Sequence, residues 1–298
     1  MSVRLKRLER IHKGILDWYS REARDLPWRR TRNPYRILVS EVMLQQTQVH
    51  RVLQKYPEFI KRFPTFSSLA RARTSTVIRA WRGMGYNNRA VRLQKLAREI
   101  IHVYQRRIPR TISKLESLPG IGPYTARAVS CFAFGQRVAV VDTNVHRVLR
   151  RIFPKETRNQ SMWIVAQWAL PVRNTYSWNQ SLMELGSRIC VARNPKCGRC
   201  PVSKTCPNAF KNETGFRKNG VHEPSRYGIP NRVYRGRIVE SLRDSHHSVK
   251  AFALGKRIVS GFREKDKPWL IQLLKSLEKD GLVSVRNHRK EAEVSLAR

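Results

Sequence analysis

Apolar residues recur at helical spacing from the start of the chain to about residue 190, and proline and glycine interrupt them at short intervals. The breaks fall at Pro27, Asn33-Pro34, Pro64, Gly83 to Gly85, Pro109 and Pro119 to Pro123. They cut this stretch into a series of helices joined by tight turns. At the N-terminus, Leu5, Leu8, Ile11 and Ile15 share one face of an amphipathic helix. Strand-like runs are scarce. Val138 to Val141 is the best apolar run, and it is too short to carry a sheet. The first two-thirds of the chain is therefore expected to be mostly α.

The pattern changes after Cys206. Residues 210–228 are polar and glycine-rich and read as a linker. Three further helices are expected over 233–243, 248–259 and 267–280. In the third, Leu270, Leu273, Leu274 and Leu277 fall at i, i+3, i+4 and i+7, which makes one apolar stripe. Gly281 ends that helix, a strand is expected over 282–286, and Asn287 to Lys290 form a basic turn. Three helices, a strand and a basic turn resemble a winged helix, so 229–298 is expected to be a small winged-helix-like domain that binds DNA or serves as an accessory. A helical cap without DNA contact is the alternative. The expected division is thus 1–209, linker 210–228, and 229–298.

Charge narrows the class of partner. Sixty Lys and Arg stand against 21 Asp and Glu, a formal net charge of +39. An excess of this size attracts polyanions, nucleic acid above all; ribosomal and membrane-surface proteins share the trait. A hydrophobic content of 41% with seven tryptophans excludes a disordered basic tail. No run of eighteen apolar residues exists to span a membrane. The basic N-terminus carries Glu9 and lacks the apolar core of an export signal. A cytoplasmic monomer with reduced thiols is expected.

Four of the five cysteines, Cys190, Cys197, Cys200 and Cys206, lie within one short segment; the fifth is Cys131. Four thiolates so close together can close a tetrahedral metal shell. Only Cys197 and Cys200 have the spacing usual in zinc sites. The wider gaps suit an iron–sulfur cluster, with zinc as the rival.

Leu118-Pro-Gly120-Ile-Gly122-Pro-Tyr124-Thr-Ala126 marks a second site. Two glycines allow a sharp turn with outward-facing amides just before a helix opens at Tyr124. Free amides at a helix start suit a phosphate and read no sequence. Two carboxylates also stand out. Glu41 interrupts the run 37–44, apolar otherwise apart from Ser40, and burial there would raise its pKa toward that of a general acid. Asp142 follows the apolar run 138–141 and opens a helix expected over 144–151, where an aspartate is most often an N-cap. By pattern alone, Asp142 reads as a cap and Glu41 as a paired structural carboxylate.

The hairpin string, Val140-Val-Asp142-Thr-Asn144-Val-His-Arg-Val148 and the four-cysteine loop resemble the helix-hairpin-helix DNA glycosylases that carry a [4Fe–4S] cluster. Leu26-Pro-Trp28-Arg29 and Val39-Ser-Glu41-Val-Met-Leu-Gln45-Gln46-Thr-Gln-Val49 are similar to the adenine DNA glycosylase branch. The resemblance covers roughly 5–210. It implies a mostly α fold with a six-helix barrel and an iron–sulfur domain. Glu41 would protonate the departing purine, and Asp142 would stabilise the sugar cation or bond to it transiently before water attacks. Tyr124 and Asn144 would support them beside the sugar. Trp28, Arg29 and Glu184 would line the adenine pocket, and Gln46 and Tyr86 would enter the duplex near the opposite base. Gly120 and Gly122 would expose the phosphate-binding amides, and the cysteines would hold the cluster. For Trp28 and Tyr86 core packing is the plainer reading, and for Arg29 a surface charge.

The implied reaction is hydrolysis of the N-glycosidic bond of adenine opposite 8-oxoguanine or guanine, in double-stranded DNA containing the mismatch, after the nucleotide is flipped out. Endonuclease III relatives place a lysine where Tyr124 stands, and a phenol cannot form their Schiff base. Little or no strand-cleaving lyase activity is expected. The sequence departs from the family at Asn87, often a tyrosine, and at Thr143, often a glycine. The residues after the linker are too few for the family's usual Nudix-like domain. A thymine glycosylase acting on G·T mismatches, and a non-catalytic DNA-binding protein of this fold, are the alternatives.

Overall fold

The computed structural model describes residues 3–211, 223–245, 247–287 and 291–298. Its helices up to the hairpin are α1 Val3–Glu22, α2 Pro34–Leu44, α3 Val49–Arg62, α4 Phe66–Arg71, α5 Thr74–Ala80, α6 Asn88–His102 and α7 Ile112–Glu116. Then come α8 Pro123–Phe134, α9 Thr143–Ile152, α10 Pro154–Asn159, α11 Met162–Trp168 and α12 Thr175–Arg188. The C-terminal segment holds β1 Ser225–Arg226, β2 Ile229–Pro230, α13 Asn231–Arg243, β3 Val249–Lys250, α14 Ala251–Ile258, α15 Lys267–Lys279, β4 Val283–Asn287 and β5 Ala292–Leu296. The mostly α expectation holds.

Two compact units form, and they do not follow chain order. The first comprises 1–38, 110–117 and 121–219; the second comprises 39–109, 118–120 and 220–298.

In the first unit, Ile11, Ile15 and Trp18 of α1 pack into one core with Val145, Val148 and Leu149 of α9 and Trp178, Leu182 and Leu185 of α12. Leu5, expected on the buried face, is 49% exposed. It belongs to the first turns of α1, outside the core that takes up Leu8, Ile11 and Ile15. The His12 ring lies edge-on to Trp178 with its Nε2 2.8 Å from Ala169 O, and burial lowers its pKa. Residues 138–141 form no strand in the described structure. Side-chain amides take the place of a ladder: Ala139 N donates to Gln167 Oε1 and Val140 N to Asn179 Oδ1, each at 2.9 Å. Asn179 Nδ2 returns a bond to Val138 O at 3.0 Å. A buried backbone must find such partners.

In the second unit, the C-terminal segment runs helix, strand, helix, helix, strand, strand, with an antiparallel sheet of order β3-β5-β4. This is winged-helix order. The expected helix 248–259 is shorter because Val249 and Lys250 pair with Val294 and Glu293. The expected strand 282–286 appears as β4, paired along its length with β5, which the pattern did not reveal. The leucine stripe of α15 is buried as expected. Ile78 of α5 and Val91 of α6 share one core with Tyr234, Ile238, Leu254 and Leu274. Asp266 is fully covered and accepts bonds from Arg226, from Tyr227 Oη at 2.8 Å and from Arg263 N at 3.0 Å. Most of the expected linker (212–222) and the tip of the basic turn (288–290) lie outside the described residues.

Candidate active site

Glu41 sits on α2, where Ile37, Leu38, Val39, Ser40, Val42 and Met43 are also buried, and is itself 5% exposed. The helix is covered on all sides here, so bulk water has little access to the carboxyl group. The end of α2 is held by Arg89 of α6. Arg89 Nη1 donates to Val42 O at 2.8 Å, Met43 O at 2.9 Å and Gln45 O at 2.5 Å. A guanidinium thereby satisfies the carbonyls that a helix C-terminus leaves open, at the negative end of its dipole.

The same side chain reaches a second turn. Arg89 Nη2 donates to Thr47 Oγ1 and Met84 O at 2.9 Å and to Gly85 O at 3.2 Å. It therefore joins the two loops that carry Gln46 and Tyr86. Both residues have left-handed backbone, with φ of +54° and +42°, which costs roughly 1–3 kcal/mol each and persists only where the surroundings hold it. Both point outward: Gln46 is exposed, and Tyr86 is 54% exposed. Core packing is thus excluded for Tyr86. Burial lowers the Arg89 guanidinium to about 10, which leaves it charged at neutral pH.

At the hairpin, α7 and α8 flank the glycine turn. Gly120 has φ +79°, and a Cβ there would lie 3.2 Å from Arg92 Cβ, so both conformation and space require glycine. Gly122 is the N-cap of α8, with Pro123 at the first helical position, one residue earlier than expected. A Cβ at Gly122 would meet nothing, which leaves this end of the helix open.

Asp142 is the N-cap of α9, as its position implied. Its Oδ1 accepts from Val145 N at 2.7 Å, and its Oδ2 accepts from Asn144 Nδ2 at 2.9 Å. Asn144 Oδ1 accepts in turn from Arg147 Nη2 at 2.8 Å. Arg147 also donates to Gly186 O at 2.6 Å and, through Nε, to Cys190 O at 2.7 Å. The carboxylate is thus fixed by a chain of bonds that ends on the first cysteine of the loop. Gly186 is required: a Cβ there would stand 2.7 Å from Asn144 Cβ and 3.0 Å from Asn144 O.

Two of the residues expected at the adenine pocket, Arg29 and Glu184, form an ion-pair cluster with Arg24. Glu184 has no exposed side-chain surface; Arg24 grips it with Nε to Oε1 at 2.7 Å and Nη2 to Oε2 at 3.0 Å. Arg29 Nη2 donates to Oε2 at 2.8 Å and Arg29 Nε to Gln180 Oε1 at 2.9 Å. Burial pushes the Glu184 carboxyl up, but the Arg24 and Arg29 guanidiniums outweigh it and hold it below the ordinary range. Arg29 is therefore no loose surface charge. Trp28 is buried in the 3-10 turn 27–29. Tyr124 is half-buried in the first turn of α8.

All four clustered cysteines border one cavity in the first unit, lined otherwise by Val148, Ile152, Leu185 and Ile189 among others. None is in a disulfide. Burial raises the Cys200 thiol to about 11 and raises Cys206 as well. Such thiols become thiolates only against strong positive charge, as a metal centre supplies. Arg151 Nη1 donates to Cys190 Sγ at 3.3 Å. Arg7 of α1 ties the loop down by bonds to Thr205 O and Ile152 O. Among the described residues no three His, Cys, Asp or Glu side chains converge on a point suited to one metal ion.

Glu41, Gln46, Tyr86 and Gly120 belong to the second unit, and Trp28, Arg29, Gly122, Tyr124, Asp142, Asn144, Glu184 and the cysteines to the first. Sequence reading missed Arg24, Arg89, Arg147 and Gly186. In a chain with so many arginines no local signal singles them out.

Residues 39–168 match the HhH-GPD superfamily base excision DNA repair protein, and residues 190–206 match the iron-sulfur binding domain of endonuclease III. The second match begins and ends on clustered cysteines. Among solved structures, a thermostable thymine-DNA glycosylase is 34% identical, with a TM-score of 0.65 over 69% of this chain and 98% of its own. Endonuclease III in a non-covalent DNA complex shares the fold at 23% identity, with a TM-score of 0.59 over 68% of this chain and 96% of its own. The adenine DNA glycosylase of Mycolicibacterium smegmatis is 41% identical over 277 residues, spanning 90% of this chain and 91% of the relative. A match of that extent takes in most of the C-terminal segment as well. Identity at this level along both chains places the protein in the HhH-GPD superfamily of base excision DNA repair proteins, and within it in the adenine DNA glycosylase family.

Proposed function

We propose that the protein hydrolyses the N-glycosidic bond of adenine mispaired with 8-oxoguanine or guanine in duplex DNA, as a cytoplasmic monomer. The observation that carries this reading is Asp142. Its two oxygens are held by Val145 N and Asn144, which fixes the carboxyl group at the start of α9 instead of leaving it to swing in solvent. The buried Glu41 is suited to hold a proton for the departing purine. As the bond breaks, that proton passes to the base and positive charge grows on the sugar, where Asp142 stabilises it until water attacks; retaining sugar hydrolases divide the work between two carboxyl groups in the same way. Both groups act on a base outside the duplex, so the nucleotide is flipped. Gly120 and Gly122 would hold a phosphate through backbone amides, Gln46 and Tyr86 would fill the gap in the stack, and Arg29, fixed by Glu184, would meet the adenine edge beside Trp28.

The four cysteines fit a [4Fe–4S] cluster: all four border one cavity, and they span the segment that matches the iron-sulfur binding domain of endonuclease III. Cys190, Cys197, Cys200 and Cys206 would hold the cluster, which would tie this loop into one unit. The charged segment around Pro195 and Lys196 would then present cations to the DNA backbone. The winged-helix segment 229–298 is proposed as a DNA-contacting or accessory domain.

The test is a panel of duplexes with A opposite 8-oxoguanine, A opposite guanine and T opposite guanine. Alkali-revealed breaks at A are expected. Breaks only at T would move the protein to the thymine branch, which the 34% identity to a thymine-DNA glycosylase makes the second reading. Tight binding without breaks would favour a non-enzyme. Glu41→Gln should abolish excision and spare binding, and unchanged activity in that variant would sink the mechanism. With a phenol at position 124, borohydride should trap little protein on DNA.

A further inference from the structure

The C-terminal segment reaches the Tyr86 turn through one buried side chain. Arg243, in the last turn of α13, is 5% exposed. Its Nη2 donates to Asn87 Oδ1 at 2.7 Å and its Nε to Ile78 O at 3.1 Å, while Nη1 pairs with Glu240. The grip is reciprocal. Arg79 of α5 donates to Arg243 O and Ser245 O, each at 3.0 Å. Arg82 pairs with Glu240 at 2.8 Å and with Asp244 at 2.5 Å. Each helix end thus has its open carbonyls satisfied by an arginine from the other. An apolar core backs these bonds: Ile78 and Val91 pack with Ile238, Val239 and Leu242, and a Cβ on Gly281 would approach Val91 to 3.2 Å.

Asn87 follows Tyr86 directly and stands where the adenine glycosylases often have a second tyrosine. Tyr86 combines an exposed ring with a left-handed backbone. Such a conformation persists only when the residues around it are held. Arg89 holds the carbonyls of Met84 and Gly85 on one side. Arg243 holds the Asn87 side chain on the other.

We propose that the C-terminal segment is a brace for the Tyr86 turn, with Arg243 as a positioning residue that acts through Asn87 to fix the direction in which Tyr86 enters the duplex. This rests on the reading that Tyr86 is the group that enters. A turn fixed beforehand loses little freedom on insertion, whereas a slack one must be ordered at that moment. The step weakened by losing the brace is therefore insertion beside the opposite base. Phosphate binding and the acid at Glu41 are left as they were.

The test uses the full-length protein and the variants Arg243→Met, Asn87→Ala, their double, Asn87→Asp, and Tyr86→Ala as control. Three quantities are read below every melting midpoint: duplex affinity, the single-turnover rate of adenine excision at saturating enzyme, and fluorescence of 2-aminopurine placed next to the opposite base. Arg243→Met and Asn87→Ala should each slow excision by about tenfold and move the fluorescence toward that of Tyr86→Ala, with affinity changed by less than about twofold. The double variant should be no slower than the singles. Asn87→Asp keeps an acceptor for Arg243 and should behave as wild type. Unchanged rate and fluorescence in Arg243→Met would overturn the brace, as would losses that multiply in the double variant. Absence of adenine excision by the wild type would overturn the activity proposed above, yet the fluorescence would still decide the brace. Equal fluorescence for wild type and Tyr86→Ala would overturn both the insertion and the brace.

Discussion

At the scale of single residues, the site depends on atoms that leave no room for substitution. Gly186 lies inside α12, where alanine would ordinarily stabilise a helix by about 1 kcal/mol. Here the added methyl would meet Asn144 at 2.7 Å, and overpacking of this kind costs roughly 1–3 kcal/mol. Gly186→Ala should therefore lower the melting temperature by several degrees. Excision should fall by more than the loss of folded protein explains, because Asn144 holds Asp142. A variant with wild-type rate would show that Asn144 can shift without disturbing Asp142. Asp266 supplies a pH-dependent example. The Arg226 guanidinium, with Arg263 N and Tyr227, lowers its carboxyl from an ordinary value of 3.8 to about 2. A depressed folded-state pKa stabilises fully above the unfolded value and is lost as pH falls through the folded one. The stability difference between wild type and Asp266→Asn should thus be constant above pH 5 and shrink between about pH 4 and pH 2. A difference that grows toward low pH in denaturant titrations would contradict the pairing.

Between elements, Arg89 connects the end of α2 to the turns that carry Gln46 and Tyr86. Its replacement by methionine keeps the apolar stem and removes every bond to Val42, Met43, Gln45, Met84 and Gly85. Leaving such buried carbonyls without a charged donor should cost on the order of 3 kcal/mol. Proteolysis or hydrogen exchange should show the loosening at 42–47 and 83–87 before the rest of the second unit. Uniform loosening would mean that Arg89 supports the core and not the two turns. Elements of this kind were partly legible from the chain. The hairpin, the cap at Asp142 and the leucine stripe of α15 are local patterns, and the structure carries each of them where the chain implies it. β5 is not legible in the same way, because its run Ala292–Leu296 is short and only pairing with β4 makes it a strand.

For the whole molecule, the net charge of +39 predicts an electrostatic grip on DNA. If six or more phosphates are neutralised, affinity should fall by about a thousandfold or more between 50 and 200 mM salt. A shallow slope in filter-binding titrations would deny the basic surface a part in docking. Compact units that interleave along the chain were also beyond a linear reading. The expected boundary at 209 divides the sequence by composition, whereas the compact units join 39–109 with 220–298.

What the sequence alone determined is the chemistry of the parts: a buried-pattern glutamate, a capping aspartate, a glycine turn and four cysteines close enough to share a cluster. Each is a matter of residue type at short spacing, which local sterics and hydrogen bonding control. What only the tertiary structure decided is which arginines act. Arg29 meets a glutamate 155 positions away and Arg243 an asparagine 156 positions away. Many arginines look alike in the sequence, and only folding chooses which of them lose their water to a particular carboxylate or carbonyl. That choice holds Asp142 and Glu184 in the first unit, and the Tyr86 turn in the second, each in one place.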